Sequence, residues 1–484
     1  MYELKYVTNG LYPEKVFKNF EDISKIPRGS GNEKAISDYI VELAKKNNLF
    51  VRQDEHNNVV VKKKATNDSK NTVMLQAHID MVTEAGEGSN HDFLVDPIEL
   101  IIEGNKLRAN NTTLGADDGI GVAYMMSIIE SSDISHPNLE LVFTSDEEVG
   151  LVGVTKLDFS DLESSYVLNL DSEEEDFILV GCAGAVDSIV SLKKEYKPSI
   201  PSNIALEINV KGLTGGHSGM DIDKERGNSN VILGRILNSI TYDFDLFSIN
   251  GGSKRNVIPR KSEAVISVSP DNLENVVKEI QKMSAKIQKE QYPVDPNLKI
   301  ELRRSAPTSF KVFTEDCKSK IIGLMLLIPN GVISMSTTIE NCVETSTNFA
   351  VINETPTSIE FLNLTRSSMQ SKKDYVTTLI ETVAKSFNAN VEITPGYPAW
   401  EHNANSSLEK LSVEVYNKLF SKKPEVVVMH CGLESGILLS KLKQKAESIS
   451  IGPNTFNVHS PDEYVEISSV GKIWDYLIEI LKNL

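Results

Sequence analysis

The stretch Thr72-Val73-Met74-Leu75-Gln76-Ala77-His78-Ile79-Asp80 reads as a short apolar strand, Thr72 to Ala77, that ends abruptly in His-x-Asp. Side chains alternate along a strand, so His78 and Asp80 leave on one face. An imidazole placed this way can ligate a metal while its other ring nitrogen receives the carboxylate, or both groups can meet a shared ion. By itself the pair carries little weight, because a histidine at a strand end is more often a structural residue.

The flanking sequence has the same grain. Val59 to Lys62, Leu139 to Phe143 and Tyr166 to Leu170 are compact apolar runs suited to a sheet buried on both faces, and Ala116 to Ile129 reads as a helix with small residues at its start. This alternation predicts an α/β fold with a mainly parallel sheet covered by helices. From about Asp187 the texture changes. Ile204 to Val210 and Ala264 to Ser269 alternate apolar with polar residues, and Leu273 to Gln288 and Lys373 to Phe387 read as amphipathic helices. After Pro398 the first texture returns, with a helix over Ser406 to Phe420, strands at Val426 to Met429 and Ser448 to Ile451, and a last helix from Glu466. The expected organisation is a split domain, residues 1–186 and 398–484, with an α+β domain of residues 187–397 inserted into it.

Bulk properties exclude more than they identify. A chain of 484 residues is long for one core, which agrees with two domains. The formal net charge of −18 disfavours partners built on phosphate, so neither nucleic acid nor an anionic membrane surface is expected. The four cysteines, Cys182, Cys317, Cys342 and Cys431, form no CxxC pair, so no disulfide framework or cysteine-built zinc site is expected. Met1 to Glu33 has no apolar core of the signal-peptide kind, and no apolar run reaches membrane-spanning length. The expectation is a cytoplasmic protein.

Acids recur where predicted strands stop. Gly115-Ala116-Asp117-Asp118-Gly119 puts two carboxylates after a glycine turn at the start of a helix, where one would suffice as a cap. Ser145-Asp146-Glu147-Glu148 and Leu170-Asp171 each follow an apolar strand directly, whereas Glu173 to Asp176 read as a solvated loop. Asn457-Val458-His459-Ser460-Pro461-Asp462-Glu463 places a histidine on a loop before the last helix. Taken singly these are caps and acidic turns. Together His78, Glu147, Glu148 and Asp171 fall at the carboxyl ends of strands, the edge where open α/β sheets bind ligands. Two histidines with several carboxylates suit zinc, manganese or cobalt, so metal binding is the reading adopted.

With Ile26-Pro27-Arg28-Gly29-Ser30-Gly31, Gly215-Gly216-His217-Ser218-Gly219 and Cys431-Gly432-Leu433-Glu434-Ser435-Gly436 in the same order along the chain, the sequence resembles the co-catalytic zinc peptidase and aminoacylase superfamily. Within it the resemblance is to the aminoacyl-histidine, or cytosol non-specific, dipeptidases. That implies a zinc-peptidase-like catalytic domain interrupted by a lid and dimerisation domain, and hence a homodimer. It implies two divalent ions, zinc with cobalt or manganese as substitutes, bridged by Asp117. His78 and Asp171 would complete one site, and Glu148 and His459 the other. Asp80 would orient His78, Glu147 would be the general base, and His217 would come from a partner subunit to stabilise an oxyanion. Asn256, Arg366 and Gly432 would contact a small peptide substrate. Many relatives carry lysine shortly after the bridging aspartate where Gly119 stands here, which leans toward the dipeptidase branch.

Without the resemblance, His217 reads as part of a hairpin turn and Arg366 as an exposed strand residue. His56, His91, His136, His402 and His430 read as structural or surface residues. Two other functions stay open at this level: an N-acyl amino acid deacylase using the same metals, and an inactive metal-binding scaffold.

Overall fold

A computed structural model describes residues 6–305 and 310–484, so residues 1–5 of the expected first domain and 306–309 of the second lie outside it. The chain forms two compact units. One comprises Met1–Cys182, Trp400–Val428 and Leu433–Leu484, and the other Ala183–Ala399 with Met429–Gly432.

The first unit is built on an eight-stranded sheet in the order Phe50–Gln53, Val59–Lys63, Asn138–Thr144, Thr72–His78, Tyr166–Asn169, Glu447–Ser450, Phe177–Cys182, Glu425–Met429. The four middle strands, Asn138–Thr144 to Glu447–Ser450, are mutually parallel, and antiparallel pairings flank them on both sides. Only the centre is therefore parallel, and it is the centre that reads as continuous apolar sequence. In register, His78 lies opposite Thr144 and Gln76 opposite Asn169. Parallel strands in step deliver their carboxyl ends to one edge. The segments that follow them, Ile79-Asp80, Ser145 to Glu148 and Leu170-Asp171, therefore emerge side by side.

The helix Ala116–Ile129 is buried along almost its whole length, as the apolar run that follows Asp118 requires. Val122 and Met126 share a core with Val73, Leu75 and Ala77 of the central strand, and with Phe143, Ile449 and Tyr476. The last helix, Ile467–Asn483, contributes Ile473, Leu477 and Ile480 to the same core.

The second unit carries a nine-stranded antiparallel sheet. Its long strands Gly184–Lys193, Val343–Glu354 and Ser358–Ser367 lie side by side, with Ile204–Lys211, Phe244–Gly251 and Ser262–Val268 toward one end. Helices Ser229–Asn238, Leu273–Gln291, Glu315–Leu327 and Gln370–Ser386 bury one face each. Ile232, Ile280, Ile321 and Ile380 form a separate core with Ile208, Phe349 and Phe361 of the sheet. No helix among the described residues is long and apolar enough to cross a membrane.

Candidate metal centre

The His-x-Asp pair closes the Thr72–His78 strand as strand geometry requires. His78 Nδ1 lies 3.4 Å from Asp80 Oδ1, and both side chains are buried. Asp80 is itself held from three directions. Ser30 Oγ donates to it at 2.8 Å, and the backbone N–H groups of Glu147 and Glu148 donate at 3.1 and 3.2 Å. One carboxylate thus lies against the imidazole and anchors the acidic turn.

The other imidazole nitrogen faces the centre. His78 Nε2 is 3.0 Å from Asp117 Oδ1 and 3.6 Å from Asp171 Oδ1. The second oxygen of Asp117 lies 3.1 Å from His459 Nε2, which is also 3.1 Å from Glu148 Oε2. Each oxygen of Asp117 therefore addresses a different histidine. Three groups of donors close enough to share an ion result: His78, Asp118 and Asp171; His78, Glu147 and Glu148; and Asp117, Glu148 and His459.

Electrostatics describe the same crowding of acids. Burial, then repulsion from Asp117 and Glu148, raises Asp171 to about 6. Burial, with Asp171, Glu434 and Glu148 nearby, pushes Glu147 well above the usual carboxylate range. Burial opposes ionisation of Asp117 too, but His459 and His78 hold it below its ordinary value. Hydrogen bonds to Asp117 and Glu148 raise His459 to about 11. These donors fit divalent cations. The set is hard oxygen with imidazole nitrogen, the negative charge is in excess, and Glu148 Oε1 is buried without a hydrogen-bond partner.

Several features are absent from the local reading of the sequence. Asp117 and Asp118 have non-helical backbone angles, and neither side chain caps the helix they open. Asp118 is buried and accepts the His78 backbone N–H at 3.2 Å. A Cβ on Gly121 would stand 2.3 Å from Asp118 Oδ1, so that glycine makes room for the carboxylate. Gly121→Ala is expected to cost about 1–3 kcal/mol of stability by overpacking, measured by urea titration. Behind the centre, Glu434 is fully buried and accepts from Gln76 Nε2 and from Thr144 Oγ1, the latter at 2.7 Å. Burial raises it to about 8. Its place in a glycine-rich motif was the only signal for it. Glu175 and Asp176 do not form a simple solvated loop, because Lys472 pairs with them at 2.8 and 3.0 Å. Only Glu173 and Glu174 of that run are exposed.

The second unit gathers a different set. Gly216–His217 forms a short strand against Val257–Ile258, and Ser218 N–H donates to the Asn256 carbonyl at 2.9 Å. Gly219 N–H and Met220 N–H donate to His217 Nδ1 at 3.3 and 3.2 Å, which leaves the proton of a neutral ring on Nε2. Burial and the Arg366 charge hold His217 below its ordinary pKa, so the neutral ring is favoured. Arg366 is buried rather than exposed as a lone strand arginine would be, and donates to Tyr397 Oη at 3.0 Å. Gly432 packs on the same tyrosine, where a Cβ would come within 2.5 Å of the ring.

Of the remaining histidines, none belongs to a donor group among the described residues. His430 is buried with Nε2 2.7 Å from Ser346 Oγ, His136 Nδ1 lies 2.7 Å from the Pro137 carbonyl, and His402 Nε2 lies 3.0 Å from Glu409. His91 stacks edge-on with Phe93, and His56 is partly exposed.

An α/β sheet with a parallel centre, with His78 and a cluster of acids at its carboxyl edge and His459 brought to them on a separate hairpin, has the donor set of a metalloprotein. Residues 74–483 match Peptidase family M20/M25/M40, and the chain belongs to that family. It is 36% identical over 479 residues to the cytosol non-specific dipeptidase of Escherichia coli, covering 98% of each protein. It is similar to the crystal structure of aminoacylhistidine dipeptidase from Vibrio alginolyticus, with a TM-score of 0.91 and 33% identity over 99% of this chain and 98% of that one. Aminopeptidase PepT from Bacillus cereus, at 15% identity and a TM-score of 0.56 over 98% of each chain, shares the fold.

Proposed function

We propose that the protein is a cytoplasmic metal-dependent dipeptidase that hydrolyses the amide bond of unblocked dipeptides, ending in histidine or broader in sequence. Two divalent ions serve it, zinc first, with cobalt or manganese as substitutes. The observation that carries this reading is Asp117, whose two oxygens face His78 and His459 separately. The family and its named dipeptidase relatives support it.

In this assignment Asp117 is shared, His78 and Asp171 complete one site, and Glu148 and His459 complete the other. Asp80 keeps His78 in the ligating orientation. A pair of cations held by these residues would polarise the scissile carbonyl and acidify an attacking water. Glu147 takes the proton of that water and passes it to the leaving amine. His217, supplied from the second copy in a homodimer, donates its Nε2–H to the developing oxyanion. Arg366 pairs with the carboxylate of the substrate, as guanidinium geometry suits; Asn256 contacts the substrate through its amide, and Gly432 through its backbone near the substrate terminus. A fixed anchor for the substrate carboxylate restricts the enzyme to short peptides.

The test is a panel of dipeptides and N-acyl amino acids with and without added zinc, manganese and cobalt. Metal-dependent cleavage of dipeptides alone is expected. Turnover confined to acylated amino acids would make the protein a deacylase, and metal uptake with no turnover would make it a scaffold. His217→Ala is expected to lower kcat by about 10²–10³, the usual effect of removing one oxyanion donor, with metal content unchanged. Turnover near that of the wild type would remove this role.

A further inference from the structure

The turn that precedes Asp117 is gripped on both faces by buried charged side chains. Glu463 accepts the backbone N–H groups of Leu114 and Gly115 on Oε2 at 2.7 and 3.0 Å, and that of Ala116 on Oε1 at 2.8 Å. On the opposite side of the same peptide, the Gly115 carbonyl accepts from Arg28 Nη2. Arg28 Nη1 also donates to the Ile79 and Asp80 carbonyls at 3.0 and 2.9 Å. Space for this grip is reserved in the backbone, since a Cβ on either Gly115 or Gly119 would stand 2.5 Å from Arg28 Nη2.

The two histidines around Asp117 are thereby tied to one turn by different hands. Arg28 links the turn to the segment that follows His78. Glu463 links it to the loop that carries His459, four residues earlier. His78 has further support, from the strand ladder and from Asp80. His459 has little. Its side chain is 49% exposed, it sits in the left-handed region with φ +61°, and the loop around it is closed by Ser460 Oγ donating to the Asn457 carbonyl. Beyond Glu463 the chain enters the strand Tyr464–Glu466, which pairs with Lys106–Ala109 and fixes the Glu463 backbone.

We infer that Glu463 is a positioning residue that sets the His459–Asp117 geometry and thereby the affinity of one of the two metal sites. The inference rests on the dinuclear reading above. Three backbone donors converge on two carboxylate oxygens, an arrangement a carboxamide cannot copy, because one oxygen becomes an NH₂ group facing an N–H. Glu463→Gln therefore leaves at least one buried donor unpaired and lets the turn before Asp117 shift against the His459 hairpin, while the site built on His78 and Asp171 keeps its supports.

The experiment is titration of the apoprotein with Zn²⁺ by calorimetry, repeated with Co²⁺ by visible absorption, on the wild type, Glu463→Gln and Glu463→Asp. The wild type is expected to take two ions. In Glu463→Gln one ion is expected to bind as in the wild type and the other about 10- to 100-fold more weakly, the usual cost of losing an outer partner of a ligand. Glu463→Asp, which retains two acceptors, should fall between them. The metal concentration for half-maximal peptidase rate should shift by the same factor, with kcat at saturating metal within a few-fold of the wild type. Two ions bound with wild-type affinity in both variants would overturn the inference. So would equal weakening of both ions, or failure of both variants to fold, since either outcome makes the residue merely structural. A wild type that takes up no second ion would instead overturn the dinuclear reading itself.

Discussion

Glu147→Ala is expected to keep both metal ions and to lose kcat by about 10²–10⁴, the range attached to a positioned general base. The two acids of the turn follow one strand and are anchored alike, through backbone N–H groups that donate to Asp80. Their side chains part from there. Glu148 reaches His459 at 3.1 Å, whereas Glu147 is half-buried beside His78 and Glu148. Removing a proton carrier costs turnover, while removing a ligand costs the ion. Metal analysis by plasma emission, alongside steady-state kinetics on a dipeptide, separates the two. If Glu147→Ala comes out depleted while Glu148→Ala stays loaded, the roles are exchanged.

The second large effect concerns Asp117. Asp117→Ala removes the oxygens that face both histidines, so affinity for both ions is expected to fall by more than the roughly 10- to 100-fold that outer partners of ligands are worth. Peptidase activity should disappear at metal concentrations that saturate the wild type, and excess metal should restore little of it. Stability should respond as well. An ion at 100 times its Kd adds about 2.7 kcal/mol of folding free energy per site. Chelation should therefore lower the melting temperature of the wild type and barely change that of Asp117→Ala. Retention of two ions and of the chelation-sensitive melting shift in the variant would remove Asp117 as the bridge.

Much of this was legible along the chain. The apolar run Thr72 to Ala77 and the abrupt His-x-Asp after it announced a buried strand with His78 and Asp80 together at its end. The same logic placed Glu147, Glu148 and Asp171 at the carboxyl ends of their strands, as the parallel register of the sheet centre requires. A strand is recognisable from its own residues because period and side-chain bulk act over a few positions. The residues that support the centre were far less legible. Arg28, Glu434 and Glu463 all lie in stretches that stood out, yet nothing local says that Arg28 grips the Gly115 carbonyl or that Glu434 accepts from Gln76. Either aspartate of the pair could have served as a helix cap, yet Asp118 is turned back toward the His78 backbone.

By itself the sequence determined the types of element, their order, the edge at which the acids collect and the likeness to a peptidase family. Only the tertiary structure decided that Asp117 faces His78 and His459 with separate oxygens, that Arg366 is buried against Tyr397, and that Met429–Gly432 groups with the second unit. The physical reason is range. Propensity and periodicity are set by neighbours a turn or two away, whereas these contacts join residues tens to hundreds of positions apart. Their geometry exists only once strand register and core packing have brought the segments together.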